Sequence, residues 1–336
     1  MVEAIKCISE TNAVSGNECL LRKYIIDNIN ADSVEVDSIG NIIALKKGCT
    51  NSTVKKAIIT HIDECGMIVT DITDDGYVKF DIVGSVELRS IISKQVIINN
   101  ATKGVIGMKA IHLQKKEERE NVKKPQELYI DIGAKNKEEA KKLVAKGDYI
   151  AFTTKCADLN DNFKGKALSR IGVYVLMNAI KQSPKCDTYY VFTTQKEVGM
   201  RGAMIAVNKL RPDYVYILDS VCATDAYGVS EDKNCIKIGK GPVISYSDRN
   251  TISNRDITNN IINIAKDTNI AIQLVAGVCE KSDEGEIMLS NNGIKASNIK
   301  IPVRYLNTPV QICSKNDIEF AKKILELIIS EEEKSL

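Results

Sequence analysis

Apolar residues along the chain follow two rhythms. Near the start, Leu20, Leu21, Tyr24, Ile25 and Ile26 are spaced as one face of a helix, and Ser15-Gly16-Asn17-Glu18 before them predicts its cap. Short strands are predicted at 34–36, 41–45 and 56–60, the last an apolar run, Lys56-Ala57-Ile58-Ile59-Thr60. From about Met67 to about Phe163 the pattern changes to short β segments (68–69, 77–80, 95–98, 128–130 and 149–152) with one helix over 137–145. After Gly165 helices and strands alternate. A helix starting near Ser169 puts Ile171, Val175, Leu176 and Ala179 on one face, strands follow at 189–194 and 214–218, and further helices fall at 257–266, 285–290 and 317–329. Strand-helix alternation of this kind predicts an α/β fold with a mainly parallel sheet and helices on both faces. The expected organisation is a discontinuous domain, 1–66 and 164–336, interrupted by a small β-rich domain at 67–163.

The 336 residues suffice for a large core, and 44% hydrophobic with 27% charged residues is ordinary for a globular chain. A net charge of +2 implies no electrostatic partner. The densest basic run, 115–124, is interleaved with Glu117, Glu118 and Glu120, so it reads as a solvated segment and not as a nucleic-acid patch. The ten Cys form no Cys-x-x-Cys pair, which predicts free thiols in a reducing cytosol. The N-terminus lacks the apolar core of a signal peptide and no apolar run approaches membrane-spanning length, so a cytoplasmic location without membrane contact is expected.

Candidate chemistry starts at His61-Ile62-Asp63-Glu64-Cys65-Gly66, at the C-terminal end of the 56–60 strand, where open α/β sheets gather functional groups. Asp63 is placed to orient the His61 ring. Two more segments add carboxylates at strand ends: 190–203, containing Thr194-Gln195-Lys196-Glu197-Val198-Gly199, and Tyr214-Val215-Tyr216-Ile217-Leu218-Asp219. Ile299-Lys300-Ile301-Pro302-Val303-Arg304-Tyr305-Leu306-Asn307 follows near the end.

In this order, and with connecting pieces such as Tyr129-Ile130-Asp131-Ile132-Gly133-Ala134, Gly165-Lys166-Ala167-Leu168 and Gly239-Lys240-Gly241-Pro242, nearly the whole chain resembles a family of dinuclear metallo-aminopeptidases. These are the glutamyl and deblocking aminopeptidases that build tetrahedral dodecamers and are often labelled cellulase-like. The resemblance implies that His61, Glu197 and Asp219 match metal ligands and that Asp63 matches the His-orienting carboxylate. It also implies three replacements: Ser169 for the bridging Asp, Lys196 for the general-base Glu and Asn307 for the second His. Asp283, Arg304 and Tyr305 match residues of the substrate pocket, although Glu280 to Gly285 departs from the family loop there.

Each replacement has a chemical consequence. A Ser hydroxyl is a neutral, weak ligand that cannot screen the repulsion of two dications. An ammonium cannot take a proton from water without a large fall in pKa, and its charge opposes a nearby cation. Glu197 and Asp219 against Lys196 leave about one negative charge, enough for at most one divalent ion (Zn, Co or Mn), or none. Two milder readings stand beside this one: Lys196 pointing to solvent, and Ser169 serving only as a helix cap. His112, in the insertion, is expected to be structural, and Glu64 to be either a support for the site or a solvated or capping residue. The functional expectation is a catalytically impaired or inactive homologue that binds a peptide or amino acid and assembles as a homo-oligomer, dimer up to dodecamer, or with an active paralogue. The alternative is residual one-metal aminopeptidase activity on short peptides. Glycan hydrolysis is disfavoured, because the carboxylates resemble metal ligands more than an acid/base pair.

Overall fold

The computed structural model describes residues 1–230, 233, 235–279 and 282–331. Its larger part is an eleven-stranded sheet with helices on both faces. The centre is four parallel strands in the order Asp187–Thr193, Lys55–His61, Tyr214–Cys222, Lys295–Arg304. Both flanks are antiparallel. Ile42–Lys46 and Ser33–Val36 extend one edge, and Gln311–Ser314, Asn162–Gly165 and Ala157–Leu159 extend the other. The sheet is therefore mixed, with its parallel pairs concentrated where connections pass through helices.

Strand alternation explains why both faces are covered. Ile58, Tyr190, Phe192, Tyr216 and Leu218 enter one core with Ile5, Leu21, Val173 and Ile324 from four helices. The residues between them, Ala57, Ile59, Val191, Val215 and Ile217, enter the opposite core with Ala203, Ala206, Val207 and Ile287. A strand buried on both faces needs an apolar run, as in Ala57-Ile58-Ile59. Each fully buried Ile in such a run contributes about 1.5–3 kcal/mol. Helix Gly172–Ala179 lies close against the sheet. A Cβ on Gly172 would press into Thr60 Oγ1 and come within 3.1 Å of the Leu218 carbonyl oxygen.

Between Gly66 and Phe152 the chain forms a closed barrel of six strands: Gly66–Ile72, Val78–Val83, Leu128–Asp131, Thr102–Met108, Gln95–Ile98 and Tyr149–Phe152. Closure gives each strand a neighbour on both sides, and Met67, Phe80, Val96, Ile106, Ile130 and Ile150 fill a core of their own. Ala157–Leu159, within the 67–163 span assigned to the insertion, and Asn162–Gly165, which crosses its end, belong to the large sheet.

Local details differ from expectation at two helix starts. Helix Cys19–Asn28 begins after Glu18, whose side chain does not cap it. The Glu18 carboxylate accepts the N–H groups of Gly16 and Gln195, tying the loop to the site. Ser169 is not a helix cap either: it lies inside the short 3-10 turn Leu168–Arg170, and the following helix starts after Ile171 without a side-chain cap.

Candidate functional site

Three parallel strands deliver the candidate residues to one end of the sheet. His61 is the last residue of Lys55–His61 and the register partner of Thr193, so Lys196 and Glu197 follow a few residues beyond, while Asp219 lies in the adjacent strand. The connecting loop takes left-handed backbone at Gln195 (φ 56) and Met200 (φ 57), conformations that side-chain-bearing residues adopt only when held. Holding comes from three sides. Asn41 Oδ1 accepts Thr194 N–H at 2.9 Å, Glu18 accepts Gln195 N–H at 3.2 Å, and Asp63 Oδ2 accepts Glu197 N–H at 2.9 Å and the Ser15 hydroxyl.

Ser169, Lys196, Glu197, Asp219 and Asn307 all line one cavity of about 300 Å³. The Lys196 ammonium lies 3.2 Å from Asp219 Oδ1 and 3.9 Å from Glu197 Oε1, with its side chain only 14% exposed. It does not extend into solvent. Burial disfavours its charge, but Asp219 and Glu197 outweigh that and raise its pKa above the usual lysine range. Asp219 is likewise costly to bury, yet Lys196 and His61 hold it well below the usual carboxylate range.

His61 is fully enclosed. Its Nδ1 lies 3.1 Å from the Asp63 carbonyl oxygen and 3.4 Å from Asp63 Oδ1; its Nε2 lies 3.3 Å from the Ser169 carbonyl oxygen and 3.5 Å from Asp219 Oδ1. Burial and the Lys196 charge disfavour the imidazolium, but hydrogen bonding to Asp219 and Asp63 prevails and raises its pKa to about 10. Asp63 therefore serves both His61 and the Glu197 backbone.

The pocket residues expected from sequence are dispersed. Arg304 makes a two-pronged pair with Asp225 at 2.7 and 2.6 Å, Tyr305 is 49% exposed, and Asp283 is buried, its carboxyl pushed up to about 7 by burial and by Asp219. None of the three lines the cavity. Asn307 does, in a left-handed turn (φ 64). Of the family loop at 280–285, Glu280 and Lys281 lie outside the described residues. Glu64 is not solvated: it is buried, accepts from Lys166 Nζ at 3.0 Å and from Ala13 N–H at 2.9 Å, and faces Arg170 at 3.6 Å. His112 is exposed in a short turn of the barrel segment.

Sequence reasoning missed Cys65, whose thiol donates to Glu197 Oε2 at 3.0 Å, although Cys65 lies inside the His61 motif. It also missed Lys300, which lines the cavity. A lysine within the apolar run 299–303 was the available signal.

These residues do not fit a pair of divalent ions. Among the described residues no three His, Cys, Asp or Glu side chains are gathered as a metal site. An ammonium already stands within ion-pair distance of both cavity carboxylates, and the hydroxyl and amide of Ser169 and Asn307 add only neutral donors.

The fold and chain match known proteins throughout. The chain is 37% identical over 330 residues, 97% of each chain, to an Acetivibrio thermocellus protein with a provisional aminopeptidase name. The solved structure of an aminopeptidase from the archaeon Desulfurococcus kamchatkensis superposes with a TM-score of 0.92 at 29% identity, covering 98% of this chain and 94% of that one. The TET1 peptidase of Pyrococcus horikoshii, which can assemble into a tetrahedron or a large octahedral shell, superposes with a TM-score of 0.86 at 30% identity, covering 98% and 99%. The M42 glutamyl aminopeptidase profile matches residues 40–324, and the chain belongs to this family of metal-dependent aminopeptidases.

Proposed function

We propose that this member of the family binds the amino ends of short peptides in the cavity without hydrolysing them efficiently. The observation that carries the reading is the position of Lys196, 3.2 Å from Asp219 and 3.9 Å from Glu197. A fixed ammonium there offsets carboxylates that would otherwise bind a cation, and it cannot act as a base at neutral pH, since against the effect of burial the charges of Asp219 and Glu197 raise its pKa. General-base catalysis is typically worth about 10²–10⁴ in rate, so its loss alone makes a weak enzyme. Asn307 in place of His and Ser169 in place of Asp support the same reading. His61 and Asp219, with Glu197, are the ligand-type residues left, and they leave room for at most one zinc, cobalt or manganese ion in competition with Lys196.

The barrel is read as an inserted assembly domain. Ile111 (61% exposed), Leu113 (63%) and Val122 (53%) are large apolar side chains facing solvent in this segment, which supports burial against further copies of the chain or an active paralogue. Hydrolysis of Leu-, Glu- and Ala-anilides with added cobalt or zinc tests the catalytic part. Background rates are expected. Metal-dependent turnover that disappears in both His61→Ala and Asp219→Ala would instead establish a working one-metal aminopeptidase.

A further inference from the structure

The cavity has a wall that none of the family-matched residues form. Lys300 is the register partner of Asp219 across parallel strands, so the two side chains emerge on the same face of the sheet. The Lys300 side chain is only 2% exposed and lines the cavity. Its one hydrogen bond among the described residues is a 3.4 Å contact with Asp248 Oδ2. That oxygen already accepts the Ser282 hydroxyl at 2.6 Å, while Asp248 Oδ1 accepts the N–H groups of Asn250 and Thr251 at 3.0 and 3.1 Å. Asp248 is shared among four donors, and an ammonium has three N–H bonds to give. Lys300 is charge-paired with Asp248, yet it keeps N–H donors to give in a place where unmade hydrogen bonds are costly.

Two further donors line the same cavity. Arg249 reaches it from an exposed loop, with no carboxylate paired to it among the described residues. Ser220 is 8% exposed, and its Oγ is a buried polar atom without a hydrogen-bond partner. A buried hydroxyl left unpaired and a buried ammonium with N–H bonds to spare, both lining one cavity, are what a site looks like when its anionic ligand supplies the missing partner.

We propose that Lys300, Arg249 and the Ser220 hydroxyl form a subsite for the carboxylate of a small amine-bearing ligand. This rests on the reading that the cavity binds peptides, and it names what the ligand must carry besides an amine. Ammonium and carboxylate then meet complementary groups in one cavity: Glu197 and Asp219 carry one negative charge more than Lys196 cancels, which meets the first, and Arg249 with the spare N–H donors of Lys300 meets the second. A volume of about 300 Å³ suits a dipeptide better than a long chain. The carboxylate has two possible sources, the C-terminus of a short peptide or an acidic side chain.

Calorimetric titration of the intact protein with Ala-Ala, Ala-Ala amide and Glu-Ala amide separates these. At least tenfold tighter binding of Ala-Ala than of its amide assigns the subsite to a terminal carboxylate. At least tenfold tighter binding of Glu-Ala amide than of Ala-Ala amide assigns it to a side chain. In either case Arg249→Ala, a change at an exposed residue, should reduce the difference at least threefold. If all three ligands bind within twofold of one another, or if Arg249→Ala leaves the discrimination unchanged, the subsite is disproved while peptide binding stands. If none binds, both readings fall.

Discussion

Lys196 Nζ and Asp219 Oδ1 lie 3.2 Å apart, an internal ion pair at the point where three parallel strands end together. An ion pair this enclosed is weak evidence of net stabilisation, but removing one partner exposes the full cost of the other buried charge.

Lys196→Ala should therefore destabilise the fold by about 1–3 kcal/mol, because Asp219 and Glu197 lose the cation between them. The same change should raise affinity for zinc or cobalt, and added metal should recover part of the lost melting temperature. Melting curves that coincide with the parent's, with and without metal, would show that the pair has no energetic role.

Rebuilding the family pattern tests the residue assignments as a group. Ser169→Asp, Lys196→Glu and Asn307→His together should produce tight binding of divalent metal, measured by elemental analysis after dialysis, while each single change should not. Residues acting as a unit are non-additive in this way. A folded triple variant with no more metal than the parent would mean that these three positions are misassigned.

A different buried cluster secures the N-terminal segment beneath the site. Arg170, fully buried, donates to the carbonyls of Ile8, Thr11 and Ile62, and Glu64 is the carboxylate that faces both it and Lys166. Glu64→Ala would leave two cations buried without their counter-charge and should cost about 3–5 kcal/mol in urea unfolding. A loss below about 1 kcal/mol would show that backbone carbonyls alone suffice.

Glu284 gives a pH dependence with a definite sign. Burial pushes its carboxyl up to about 7 against the opposing hydrogen bonds from Ser253 and Asn298, and its Oε1 has no partner. A carboxyl with a raised folded pKa favours folding while protonated, so its contribution is complete below about pH 4 and is lost as pH rises through about 7. Glu284→Gln keeps a neutral side chain at every pH. Relative to the parent, its unfolding free energy should gain on the order of 1–3 kcal/mol between pH 4.5 and 7.5. Parallel stability curves would show that Glu284 ionises normally.

The apolar runs, by themselves, determined the strands around 56–60, 189–194 and 214–218 and the helices between them, because a strand buried on both faces has little freedom in composition. The two-core packing of Ile58 against one layer and Ile59 against the other is the direct result. The order of motifs was also enough to bring Ser169, Lys196, Glu197, Asp219 and Asn307 under one hypothesis, and the fold brings those five to one cavity. Local signals misread the ends of elements. The Ser15 to Glu18 stretch and Ser169 look like helix caps in sequence, but neither caps: Glu18 accepts the Gln195 N–H instead, and Ser169 lies inside a short 3-10 turn whose backbone meets Gln311 and His61. Tertiary structure alone decided which way Lys196 points and that Glu64 is buried with Lys166 and Arg170. It alone removed Arg304 to Asp225 and set Lys300 beside Asp219 in register. The physical reason is that charge is placed by the balance of desolvation against a specific partner, and that partner is fixed by strand order and register, which no local stretch of sequence encodes.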